Sequence, residues 1–355
     1  MPTQHIRRRR IRSGSFSPSK NDDSQSTDTR NTSVGMMSAK RDYISSSSGM
    51  PVNVDFRMFY SISNANRISS ITKKPLLCIH GGPGIPSDYL VGLSNAFPNR
   101  TVILYDQIGC GKSNEPSDIN AYSIDNSVQD LVDLVQFLKT RYGLNQFHML
   151  GHSFGGIIAY EYMKKTFANK NLINSPTLLS ITLSSTQFDV HQVDKDSESQ
   201  MDVIRDSENY STTEEVNQSF QQTFVCRTES LPQPLQVAFS RRGKVCGQEM
   251  IQDYIAEPLP PTFQKNDANT DNNIMLPSIL LTRGEFDFVT ARQSIDNWKE
   301  TFARSNYDHS IFDIDALTVN NSGHYSMLDN SSLYTDALDT FLSRTDNAEL
   351  KARKQ

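Results

Sequence analysis

Cysteine is scarce in this sequence. Four of the 355 residues, Cys78, Cys110, Cys226 and Cys246, are scattered along it with no C-x-x-C pair. That excludes a disulfide scaffold, and with no Cys cluster and no H-x-x-x-H pair there is no zinc site to expect. No apolar run approaches the ~18 residues of a membrane span. No apolar stretch follows the N-terminal arginines, so a secretory signal is not expected, and reduced thiols in the cytoplasm are. Matches to N-x-[ST], such as Asn99-Arg100-Thr101, then read as chance. No acidic residue precedes Asp22, which leaves an Arg- and Ser-rich organellar transit segment as the alternative address. Apolar residues are also few, at 36% of the chain against the ~45–50% usual for a globular domain.

What is present is unevenly spread. Residues 1–40 carry eight Lys/Arg and three Asp/Glu, a balance of +5, while the other 315 carry 27 and 37, a balance of −10. An acidic body argues against nucleic acid as a partner, because phosphate binding needs a basic face. Twelve of the first fifty residues are serine, hydrophobic periodicity is lacking, and Arg7-Arg8-Arg9-Arg10 is a solvated charge run. Residues 1–50 are therefore expected to be a disordered tail, with Ser13, Ser15 and Ser17 open to phosphorylation and order beginning near Pro51.

From there short apolar runs alternate with helical patterns. Val54–Tyr60 partly alternates like an antiparallel strand. Pro75–Ile79, Thr101–Tyr105, Phe147–Leu150, Leu178–Leu183 and Ile279–Thr282 read as parallel strands buried on both faces, and Ile311–Ile314 as one more. Ile124, Val128, Leu131, Leu134, Val135 and Leu138 recur at helical spacing, with Ser123 as the N-cap and Gly143 as the stop. Further helices are expected after Ser153, over Ala291–Ala303 and over Leu333–Leu342. Strand–helix alternation means an α/β fold with a mostly parallel sheet. Residues 188–273 break the alternation and read as a helical cap, so the core is expected over 51–187 and 274–345, with a C-terminal tail at 346–355.

Gly151-His152-Ser153-Phe154-Gly155-Gly156 matches G-x-S-x-G between a strand and a helix. That context is a nucleophile elbow, a tight turn that lifts the Ser153 hydroxyl above the sheet beside a helix N-terminus. A serine needs a base, and the base an orienting carboxylate. In chain order the acid comes next, and Gly284-Glu285-Phe286-Asp287 follows a core strand, 134 residues after Ser153. Glu285 competes, but Asp287 stands nearer the next helix and is preferred. The base is expected at His324, in the Gly-flanked loop 37 residues further on. Of the other histidines, His80 and His152 belong to other motifs, His5, His191 and His309 fall in tail, insertion or strand edge, and His148 reads as buried structure. His80-Gly81-Gly82-Pro83-Gly84 follows a strand and lets backbone approach an oxyanion; Gly82 and Phe154 are the candidate N–H donors. Asp106-Gln107-Ile108-Gly109-Cys110-Gly111-Lys112-Ser113 ends like a P-loop but lacks its first glycine, so no nucleotide cofactor is expected.

The motifs HGGPG at 80–84, DQIGCGKS at 106–113 and GHSFGG at 151–156 resemble the proline iminopeptidase group of α/β-hydrolases (serine peptidase family S33). The likeness covers roughly 51–345 and is nearest the tricorn-interacting aminopeptidase branch. It implies an eight-stranded α/β-hydrolase sheet with a helical cap, no cofactor, and release of an N-terminal residue, often proline, from short peptides or amino-acid amides. It implies Ser153 as nucleophile, Asp287 as orienting acid, His324 as base, and Gly82 and Phe154 as the oxyanion hole. Family members hold the substrate's amino group with acids. Glu249 sits about where a cap Glu is expected, but Phe288 stands where the near branch has a Glu beside the catalytic Asp. The alternatives are an esterase on the same machinery and, further off, a hydrolase-fold ligand receptor.

Overall fold

Four short stretches of aliphatic residues set the centre of the sheet. Leu76–Ile79, Val102–Tyr105, Gln146–His152 and all but the first residue of Thr177–Ser184 are buried at every position, as strands covered on both faces must be. The computed structural model describes residues 32–168, 175–207, 212–259, 276–304 and 312–352. In chain order the strands are β1 (Thr32–Ile44), β2 (Pro51–Ser63), β3 (Leu76–Ile79), β4 (Val102–Tyr105), β5 (Gln146–His152), β6 (Thr177–Ser184), β7 (Ser278–Gly284) and β8 (Ile314–Val319). They form one eight-stranded sheet in the order β1-β2-β4-β3-β5-β6-β7-β8. β1 and β2 make an antiparallel hairpin, β2 runs antiparallel to β4, and the rest are parallel.

The helices are α1 (Val91–Ala96), α2 (Ile124–Tyr142), α3 (Phe154–Ala168), α4 (Val190–Ser207), α5 (Thr213–Phe220), α6 (Gln233–Ser240), α7 (Arg292–Arg304), α8 (Ser326–Asp329) and α9 (Ser331–Ala352). Side chains of successive strand residues go to opposite faces. Leu77, Ile79, Ile103, Tyr105, Phe147 and Met149 pack with α2, α3 and α7, while Leu76, Cys78, Val102, Leu104 and Leu150 pack with α1 and α9. Each fully buried Leu or Ile contributes roughly 1.5–3 kcal/mol, so this two-sided core carries the fold. α2 begins where Ser123 Oγ accepts from the Asn126 N–H at 3.1 Å and stops at Gly143, which takes φ 76°, as its sequence required. α4, α5 and α6 lie between β6 and β7, and a bridge between Asp189 and Ile255 closes the base of that insertion.

Two boundaries differ from the sequence expectation. The tail assigned to residues 1–50 ends sooner, because Thr32–Ile44 is β1 and pairs along its whole length with β2. Met37, Ala39 and Arg41 alternate inward, and Arg41 makes a buried ion pair with Asp130 of α2 at 2.5 Å. The charged run and serines before residue 32, and the transit segment they suggested, lie outside the described residues. The C-terminal tail assigned to 346–355 is likewise mostly helix. α9 runs to Ala352, and Asp346 is buried between Arg100, at 2.9 Å, and His148, at 3.1 Å. The last strand also sits later, at Ile314–Val319. Among the described residues no helix is long and apolar enough to cross a membrane.

Candidate active site

β5 runs directly into α3, and Ser153 is the hinge between them. It takes φ 55°, the left-handed region that a side chain occupies only under constraint. The constraint is local. Ser153 N–H donates to Ser184 O and its own carbonyl accepts from Gly156 N–H, both at 2.8 Å. Gly155 lies against the carbonyl of Ile79 and Gly156 against the Thr186 side chain, so a Cβ at either would force the turn open. The turn therefore presents Ser153 at the N-terminus of a 15-residue helix, whose aligned peptides favour negative charge there.

Asp287 and His324 come together from the ends of β7 and β8. His324 Nδ1 lies 3.0 Å from Asp287 Oδ1, and the carboxylate also accepts from Val289 N–H at 2.9 Å and the Thr290 hydroxyl at 2.7 Å. Burial by itself raises the Asp287 pKa, but the charge and hydrogen bond of His324, with the Thr290 hydroxyl, outweigh it and hold it down at about 2. Asp287 is thus a fixed anion that keeps the proton on Nδ1 and turns Nε2 outward. Glu285, the competing acid, is occupied elsewhere: it accepts from Asn321 N–H at 2.8 Å and braces the histidine loop.

The glycine loop after β3 packs on the elbow. A methyl on Gly81 would meet Ser153 Cβ and the His152 carbonyl at 2.9 Å. Gly81 N–H is committed to the Tyr89 hydroxyl at 2.7 Å, while Gly82, at φ 118°, follows it into the turn. The loop is held from behind by the 106–113 motif. Gln107 N–H donates to His80 Nε2 at 2.9 Å and its side-chain amide donates to His80 O at 2.8 Å. Asp106 accepts from Ser87 N–H and hydroxyl and from Lys112 N–H. His80 is buried, which lowers its pKa and keeps it a neutral clamp.

The insertion reaches the same place from above. His324 N–H donates to Phe224 O at 2.8 Å and Tyr325 N–H to Val225 O at 3.0 Å. Asp329 joins the two segments, accepting from Gly323 N–H at 2.8 Å and Arg227 N–H at 2.7 Å. Phe288 stands beside the histidine, its ring 5.6 Å from that of His324 and 5.0 Å from Phe220. An apolar wall therefore lines the position next to Asp287. Glu249 is exposed on the short turn Gln248–Met250, directly after the Gly243–Cys246 stretch that packs on Gly84 and Gly109. Among the described residues no group of three or more His, Cys, Asp or Glu is placed to hold a metal ion.

Of the candidates drawn from the sequence, Ser153, Asp287, His324 and the glycine loop, the structure bonds Asp287 to His324 and packs Gly81 against Ser153. Sequence reasoning missed Tyr89 and Asp329, which act through contacts distant in sequence, and gave Gln107 and His152 no role beyond their motifs.

Comparison with known proteins gives the fold family and the relatives. A proline iminopeptidase from Saccharolobus solfataricus is 25% identical over 300 residues, covering 82% of this chain and 90% of that protein. One from Heyndrickxia coagulans is 40% identical over 110 residues, spanning 31% of this chain and 37% of that protein. The crystal structure of a proline iminopeptidase from Mycobacterium smegmatis superposes with a TM-score of 0.63 at 16% identity, over 88% of this chain and all of that one. The family model for the alpha/beta hydrolase fold matches residues 74–331. With that span covering the elbow, the acid and the histidine, the chain belongs to the α/β-hydrolase family.

Proposed function

We propose that this hydrolase is a serine exopeptidase or amidase that releases an N-terminal amino acid, proline or another, through an acyl-enzyme. One arrangement supports it above all: a buried, ionised Asp287 bonded to His324 Nδ1 at 3.0 Å, on loops packed against the elbow of Ser153. With Nδ1 occupied, His324 Nε2 takes the Ser153 proton as Oγ attacks the carbonyl. The N–H groups of Gly82 and Phe154 receive the oxyanion. His324 then returns the proton to the leaving amine, and water attacks the acyl-serine by the same route. The peptide or amide substrate is inferred from the likeness to proline iminopeptidases, with Glu249 as the candidate partner for the substrate's ammonium group.

Phe288 favours a second reading, a carboxylesterase. An ammonium group desolvates poorly without an acidic partner, and the position beside Asp287 offers a ring instead. Two measurements separate the readings. Ser153→Ala should lower turnover by at least roughly a thousandfold on any cleaved substrate; an unchanged rate refutes the nucleophile. Aminoacyl amides with a free amine should be cleaved faster than their N-acetylated forms, and the reverse preference refutes the aminopeptidase in favour of the esterase.

A further inference from the structure

His152 is fully buried and is none of the reacting groups assigned above, yet both its ring nitrogens are in use. Nε2 lies 3.0 Å from the carbonyl oxygen of His324. That oxygen can only accept, so Nε2 carries the proton and Nδ1 is the acceptor. The Tyr89 hydroxyl, 2.8 Å from Nδ1, must then donate to it, and the same hydroxyl accepts the Gly81 N–H at 2.7 Å. Three hydrogen bonds run in one direction, from the glycine loop through Tyr89 and His152 to the backbone of His324. Burial lowers the His152 pKa to about 3, so the ring stays neutral and the direction stays fixed. Packing holds the parts in place: the His152 ring is 4.8 Å from His324 and 5.3 Å from Tyr89, and Tyr325 stacks at 5.1 and 5.2 Å against His152 and Tyr89.

We infer that Tyr89 and His152 are positioning residues that set the oxyanion loop and the base against Ser153 together, through one relay. This rests on the assignment of Ser153 and His324. The relay begins one peptide before Gly82 and ends on the backbone of His324, while His152 itself precedes Ser153 in the chain. The three loops that supply nucleophile, oxyanion donor and base are thereby tied at a single ring. A misplacement of about 1 Å in such a set costs on the order of a hundredfold in rate.

The test is the rate at which a fluorophosphonate labels Ser153 in the full chain, which needs an activated serine and an oxyanion hole but no known substrate. Tyr89→Phe removes only the hydroxyl and keeps the ring; it should slow labelling roughly tenfold to a hundredfold. His152→Ala should slow it similarly. His152→Gln, which keeps an N–H aimed at the His324 carbonyl, should recover part of the loss. The double variant Tyr89→Phe/His152→Ala should be no slower than the slower single, because a relay breaks once. Rates are taken on the folded fraction measured by circular dichroism, so destabilisation alone leaves them unmoved. Wild-type labelling rates in Tyr89→Phe and His152→Ala overturn the relay, as do effects that multiply independently. Labelling that persists in Ser153→Ala, or is absent from the wild type, instead overturns the assignment of the serine and the relay's role with it.

Discussion

Replacing Arg41 by alanine tests whether β1 is a working part of the fold. Arg41 is 1% exposed. Its Nη2 and Nε reach Asp130 Oδ2 at 2.5 and 3.2 Å, and its Nη1 donates to Ala121 O at 2.8 Å. The carbonyl of Ala121 keeps a second donor, Asn126 Nδ2 at 3.1 Å, so the loss falls on Asp130. Leaving one member of a buried pair without its partner costs about 3–5 kcal/mol. Against the roughly 2–4 °C per kcal/mol of larger domains, that is a melting-point drop of about 6–20 °C. Burial already raises the Asp130 pKa to about 6 even though Arg41 opposes it. Without Arg41 it rises further. A carboxyl whose folded pKa lies above its unfolded one destabilises as pH rises through that interval. The penalty of Arg41→Ala should therefore be smaller at pH 5 than at pH 8 in urea unfolding. Arg41→Met/Asp130→Leu, which removes both charges, should recover most of it. A change below about 1 kcal/mol at pH 8, or a double variant worse than the single, refutes the reasoning.

Two further perturbations probe other regions. Asp346→Ala should cost about 3–5 kcal/mol, because it leaves the buried Arg100 only the half-exposed Asp339 carboxylate at 4.0 Å, while turnover per folded molecule stays unchanged; denaturant melts alongside activity check both. Phe288→Glu puts a carboxylate beside Asp287 and should raise the ratio of kcat/KM for free-amine over N-acetylated substrates by roughly tenfold or more, the worth of one charge-assisted hydrogen bond. An unchanged ratio would mean that the amine does not approach this position.

The central sheet and the elbow were legible because they obey local rules. Buried parallel strands read as unbroken aliphatic runs, and G-x-S-x-G between a strand and a helix admits few other structures. Asp287 was preferred to Glu285 only on its place before the next helix; in three dimensions one is buried against His324 and the other bonds Asn321. β1 was illegible because its inward positions are Met37, Ala39 and Arg41. A charged residue at a core position reads as surface unless its partner, 89 residues away, is known. The end of α9 failed for the same reason at Asp346, and Tyr89 carries no local signal of its bond to His152.

The insertion is stitched to the core on both sides of the site. Phe224 and Val225 hold the histidine loop, while Gly243 N–H donates to Gly84 O at 2.8 Å, Arg241 O accepts from Gly111 N–H at 3.0 Å, and Glu115 receives Lys244 and Val245 N–H. Such an insertion is not an interchangeable module. Exchanging residues 190–219 for a segment from a relative should alter which substrates are accepted and leave the machinery standing. Exchanging 220–227 or 241–247 would unpick the backbone that holds His324 and the glycine loop. Variation in substrate range thus has room in the outer helices and almost none where the insertion meets the sheet.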